Sequence, residues 1–169
     1  MTPLPAPLGG GELVVWRIDH ARHASAWDSG EGAFRIGGRW NRRGRRAVYC
    51  AVDPATAILE VAVHKGFDAL DTVPHILSAI TISAPAGVRV VEPASIPDPG
   101  WLRPGIPDAA QQTFGDALLA ENKFVAIPSV VSSHSWNLVF VAADAAGAYE
   151  LKSQEPLILD PRLHSPAMR

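Results

Sequence analysis

The chain has 169 residues, 47% of them hydrophobic and 19% charged, and its 15 basic and 17 acidic side chains leave a formal net charge of −2. That balance excludes intrinsic disorder and provides no global field for recruiting nucleic acid or an anionic membrane. The single cysteine, Cys50, excludes an internal disulfide and a cysteine-rich zinc site, and no run approaches the ~20 apolar residues of a membrane-spanning helix.

Residues 1–11 carry neither a basic n-region nor an apolar core of signal-peptide length. They are expected to be a flexible tail ahead of a single domain over 12–169, in the cytoplasm. "ELVVWRI" (12–18) is β-branched and aromatic enough for a strand that ends near Arg17. From Asp19 to Gly44 no periodicity is sustained, which predicts one long ordered loop, a kind of segment that often carries function. "RAVYCAV" (46–52) reads as a strand and "DPATAILEVAVHKG" (53–66) as a helix. Asp53 is its cap, Pro54 lies in its first turn, Gly66 ends it, and Ala57, Ile58, Val61 and Ala62 form its buried stripe. "HILSAITIS" (75–83) and "GVRVV" (87–91) are strand candidates, and 93–108 holds too many prolines for anything but a loop. A second helix is expected over 108–122, weakened by Gly115. Three short strands are expected after it, in 123–131, 136–143 and 155–160. Strands outnumber helices without regular alternation, which predicts a strand-rich α+β domain.

Glu60 stands out as a carboxylate inside an otherwise apolar helix, either exposed at the edge of the stripe or held in a pocket whose arginines compensate its charge. Arg17 and Arg39 are the candidate partners, because a guanidinium fork matches phosphate or carboxylate oxygens. Gly37 and Gly38 would let backbone approach such an anion closely. Trp40 is wall or packing, and Arg42, Arg43, Arg45 and Arg46 read as solvated turn residues around Gly44. Tyr49 is either core or a ring that stacks on a ligand, and Ser129, after Pro128, either closes a turn or touches a ligand. No Gly-x-Ser-x-Gly elbow surrounds Ser129, and the six histidines form no ligand set, so no metal is expected.

Taken in order, "WRI", "GEGAFRIGGRWN", "AVYCA", "AILEVAVH", "IPSVV", "WNLVF" and "LILDPRL" resemble the RES domain, over about residues 13–164. The resemblance implies a fold similar to the ADP-ribosyltransferase toxins and the role of toxin in a bacterial type II toxin–antitoxin pair. It also implies NAD as substrate, cleaved between nicotinamide and ribose with water or phosphate as acceptor, and an antitoxin partner with an Xre-like helix-turn-helix domain. Onto this chain it carries Arg17, Arg39 and Glu60 as catalytic residues and Arg17, Arg39, Tyr49 and Ser129 as NAD-binding ones, with Trp40 added as an NAD-binding candidate from its place beside Arg39. The chain departs from the family pattern in two places. "HARHASAW" (20–27) lacks the tyrosine that often follows the first arginine, leaving His23 or Trp27 to stack there, and "WNLVFVAADAAG" lacks an asparagine-proline pair. Transfer of ADP-ribose to a protein is the alternative on the same fold. A nucleic-acid module built on the arginine run and Trp40 is a third reading, disfavoured by the acidic balance.

Overall fold

A computed structural model describes residues 12–163, so the expected tail at 1–11 lies outside the described residues. Seven strands make one sheet: β1 (Leu13–His20), β2 (Ala47–Ala51), β3 (His75–Ile82), β4 (Arg89–Val90), β5 (Phe124–Pro128), β6 (Trp136–Val141) and β7 (Tyr149–Pro156). They lie in the order β4-β5-β6-β2-β1-β3-β7, antiparallel throughout except for β4 beside β5. The helices are α1 (Glu31–Ile36), α2 (Pro54–Lys65), α3 (Phe67–Thr72) and α4 (Ala109–Glu121). This is the α+β, strand-rich single domain expected. Among the described residues no helix is long and apolar enough to cross a membrane.

Alternation along the strands sorts side chains onto two faces. On one face Leu13, Val15, Val48, Cys50, Leu138 and Phe140 join Trp27 in a buried cluster. The other face is divided in two. Trp16, Ile18 and Ala51 pack under α2 and α3, while Ala47, Val125, Ile127 and Val139 pack under α4 and the proline-rich loop that carries Trp101. Two helical blocks on one face leave a seam between them, floored by β2 and β6.

The helix α2 forms where its caps predict. Asp53 accepts from the Thr56 backbone N–H at 2.8 Å, Pro54 is the first helical residue, and Gly66, at φ 78°, ends it. Thr56 Oγ1 (2.7 Å) and Ser135 Oγ (2.8 Å) also donate to Asp53 Oδ2. Burial opposes ionisation of Asp53, but the bonds from Thr56 and Ser135 outweigh it and hold the carboxyl below its usual range. A depressed folded-state value stabilises above the unfolded carboxylate's titration, near about pH 4, and that stability is lost as pH falls through the folded value. Asp53→Ala is therefore expected to cost about 1 kcal/mol at neutral pH. Its penalty relative to wild type should shrink as thermal melts are taken to lower pH, and a pH-independent penalty would refute this account.

Four expectations need correction. The segment 19–44 is not one loop: a 3-10 helix spans Ala21–Ala26, and α1 follows with Arg35 paired to Glu31 at 2.7 Å. Both are too short to show a helical period. The final strand is not 155–160 but Tyr149–Pro156, a polar edge strand whose residues are nearly all exposed, so hydrophobic patterning passes over it. The strand expected over 87–91 pairs only at Arg89 and Val90. Gly115, expected to weaken α4, is what lets α4 pack: a Cβ there would lie 2.1 Å from the Trp40 carbonyl oxygen.

Candidate active site

The block 37–46 is a knot of buried polar bonds, with Asn41, wholly buried, at its centre. Asn41 Nδ2 donates to the carbonyls of Ala33, Arg42 and Arg45, and its Oδ1 accepts from the Tyr49 hydroxyl at 2.7 Å. That hydroxyl in turn accepts from the Trp40 N–H at 3.1 Å. Burial pushes the Tyr49 phenol well above its ordinary range, so it stays a neutral donor. Its hydroxyl is thereby committed to holding the block, and only the ring remains for a ligand. The glycines also serve the block rather than an anion. A Cβ on Gly38 would sit 2.6 Å from the Tyr49 hydroxyl, and Gly37 adopts φ 80°.

Trp40 packs inward, 3% exposed and edge-on to Phe114, so it acts here as packing rather than as a ligand wall. The arginines after it are not free turn residues. Arg42 and Arg45 both pair with Asp116, Arg46 pairs with Glu31 and lies over the Phe34 ring, and Arg43 is exposed. Three of the four are thus ion-paired, Arg42 and Arg45 sharing Asp116 and Arg46 sharing Glu31 with Arg35, which weakens the field a nucleic-acid reading would need.

Arg39 points the other way. Its Nη1 donates to the Trp101 carbonyl at 3.2 Å and its Nη2 to that of Gly105 at 2.9 Å, so the proline-rich loop fixes the guanidinium. Burial lowers its proton affinity, and the Glu60 carboxylate works in the opposite direction. With Val63, His64, Pro104, Gly105, Val130 and Val131 it lines an open cavity of ≈ 440 Å³ in the seam between the helical blocks.

Glu60 lies one helical turn before Val63 and His64, on the same α2 face. Its Oε1 accepts from the Ser129 hydroxyl at 2.9 Å and from Asn137 Nδ2. Ser129 Oγ also accepts the Ser132 N–H at 3.0 Å, which commits the serine proton to Glu60. Its hydroxyl is therefore a support for the carboxylate rather than a free ligand contact. Asn137, on the central strand β6, was not anticipated. The signal available in the sequence was a polar residue inside the otherwise apolar "WNLVFV".

The structure thus brings together Glu60, Ser129, Arg39 and Tyr49, and it adds Asn137. Arg17 stands apart. Strand alternation directs Trp16 and Ile18 toward α2 and Arg17 toward the other face, where Asp19 takes its Nε (2.8 Å) and Nη2 (2.7 Å). The β1–β2 ladder consists of one pairing, Trp16 with Ala51, and Arg17 Nη1 spans the gap beyond it to the Tyr49 carbonyl at 2.9 Å. The guanidinium is not the unencumbered clamp expected, although one N–H on each terminal nitrogen is left over. Trp27, one of two candidates for stacking, is core at 7% exposure against Tyr149, whereas His23 is exposed. Cys50 is buried, which pushes its thiol up to about 12 and makes it inert. Among the described residues no group of three or more His, Cys, Asp or Glu could hold a metal ion.

The family model for the RES domain matches residues 14–160. "Toxin Res" of Pseudomonas putida is 32% identical over 131 residues, 76% of this chain and 83% of the relative. "Toxin Res" of Photorhabdus laumondii is 46% identical over 61 residues, 36% of this chain and 38% of the relative. Among solved structures, one chain of the M. tuberculosis MbcT-MbcA toxin-antitoxin complex superposes with a TM-score of 0.62 over 87% of this chain and 85% of that one. At 21% identity that likeness shows the fold.

Proposed function

The chain belongs to the RES domain family, and on that premise we propose that it is the toxin of a toxin–antitoxin pair and cleaves NAD between nicotinamide and ribose. The observation that carries the chemistry is Glu60, a carboxylate held by Ser129 and Asn137 one helical turn before Val63 and His64, which line a cavity together with Arg39, whose charge Glu60 feels. Breaking the C1′–N bond sends its electron pair to the pyridinium nitrogen, which leaves as neutral nicotinamide, while positive charge builds on the ribose. Water or inorganic phosphate then bonds to C1′, releasing a proton when water is the acceptor. A fixed carboxylate beside the sugar stabilises that charge, as in glycosidases.

Arg39, anchored through two of its nitrogens, supplies the positive charge for the pyrophosphate, so that the ribose is fixed against Glu60. Tyr49 contributes its ring as a wall beside the nicotinamide. Arg17 is assigned a supporting role only: Asp19 and the Tyr49 carbonyl hold it in the β1–β2 gap, apart from Glu60 and Arg39.

The relative solved with an antitoxin supports a protein partner for this chain, for which the family resemblance suggests an Xre-like helix-turn-helix antitoxin. Val63, a lining residue 64% exposed, and Ile106, 98% exposed and the chain neighbour of the lining residue Gly105, suit a partner that covers the mouth.

Purified protein, separated from any bound partner, is expected to release nicotinamide from NAD, with and without added phosphate. No NAD consumption in either condition would overturn the reading. Label from NAD recovered on a protein would redirect it to ADP-ribosyl transfer.

A further inference from the structure

We propose that Asn137 is a positioning residue that, with Ser129, anchors Glu60 through one carboxylate oxygen and so reserves the other, Oε2, for the ribose. The inference rests on the NAD-cleaving reading for what Oε2 meets, but the anchor itself rests on geometry alone.

Both donors converge on the same atom: Ser129 Oγ and Asn137 Nδ2 each bond Glu60 Oε1, and among the described residues Oε2 receives no hydrogen bond. Neither donor can readily turn away. The Ser129 oxygen is occupied by the Ser132 N–H, which orients the hydroxyl proton toward Glu60. The Asn137 amide has one workable orientation, because a flipped amide would set its Oδ1 against a carboxylate, acceptor facing acceptor.

Asn137 does little for the sheet. On β6 it is flanked in register by Ala51 of β2 and Ile127 of β5, so it is a polar residue in an apolar row. It is 9% exposed, and its Oδ1 is buried without a partner, an arrangement a leucine of similar size would avoid. Among the described residues its one side-chain hydrogen bond goes to Glu60. Being paired to strands on both sides fixes its backbone, and a donor on such an element holds its target more tightly than one on a loop. The result is a carboxylate with one oxygen spent on orientation and one presented to a ligand.

Two measurements on the full-length protein test this. In Asn137→Leu, kcat for NAD should fall about a hundredfold while KM stays within about threefold and the melting temperature is not lowered, because the lost bond orients charge that matters in the transition state. In ligand-free wild type, the side-chain amide proton of Asn137 should lie downfield of an ordinary asparagine amide and return on Glu60→Leu. A kcat within about twofold of wild type in Asn137→Leu, or an amide signal indifferent to Glu60→Leu, overturns the proposal. Should the wild type fail to consume NAD, the amide signal still decides whether the anchor exists, so the two failures are separable.

Discussion

Replacing Glu60 by glutamine is expected to lower kcat for NAD cleavage about a thousandfold, a loss of about 4 kcal/mol of transition-state stabilisation, while the protein folds and still binds NAD. The substitution preserves size and an acceptor for the Ser129 and Asn137 protons at Oε1, so the anchor survives. What disappears is the negative charge opposite a sugar that becomes cationic only as the bond breaks. A group whose effect is confined to the transition state should change kcat and kcat/KM together and leave substrate affinity nearly untouched. Nicotinamide release checks the rate and equilibrium titration with NAD checks the binding. An unchanged kcat would remove Glu60 from the chemistry, and a loss of affinity with full kcat would make it a binding residue instead.

Arg39 responds differently because its work is in the ground state as well. It is tied to two loop carbonyls and faces the cavity, so truncation would loosen the loop at 101–105 and weaken binding of any anionic ligand. That contrast between Glu60 and Arg39 follows from their different partners: side-chain donors on a rigid strand and turn for one, backbone acceptors on a loop for the other.

How far the sequence reveals this site depends on which interactions leave a local signature. The helix carrying Glu60 is readable because Asp53, Pro54 and Gly66 act within a turn of where they stand. The strands β1, β2, β3, β5 and β6 are readable because burial on one or both faces forces apolar patterning. The strand β7 escapes because an exposed edge needs pairing but not hydrophobicity. Grouping Arg17, Arg39, Tyr49, Glu60 and Ser129 required the family resemblance, since no spacing rule connects them. Their functions then diverge in ways only the contacts disclose. The Tyr49 hydroxyl belongs to Asn41, the Ser129 hydroxyl to Glu60, and most of Arg17 to Asp19. Asn137, whose partner Glu60 is distant in sequence, and Asn41, whose partners are near in sequence but belong to no repeating element, had no local period to announce them.

Gly115 shows the same limit from the side of stability, and its replacement should have the largest effect on the fold. Helix propensity alone predicts that Gly115→Ala stabilises α4 by up to about 1 kcal/mol. The packing predicts the reverse. The new Cβ would fall 2.1 Å from the Trp40 oxygen, 2.6 Å from its carbonyl carbon and 2.7 Å from its Cα, all backbone atoms that cannot swing aside. Trp40 is held by its N–H to the Tyr49 hydroxyl and by its ring against Phe114, so relief requires α4 to move off the sheet or the 37–46 block to shift. Overpacking of this kind costs about 3 kcal/mol net of the propensity gain, which in a domain of this size lowers the melting temperature by about 10 °C. The strain should also reach the site, because Arg39 precedes Trp40 and the Gln112 side chain of α4 donates to the Gly38 carbonyl at 2.9 Å. NAD affinity is therefore expected to fall along with stability in Gly115→Ala, although residue 115 does not line the cavity. A melting temperature at or above that of wild type would show that α4 and the arginine block are not in the contact described. A lowered melting temperature with unchanged affinity would show that the block yields on the Trp40 side without moving Arg39.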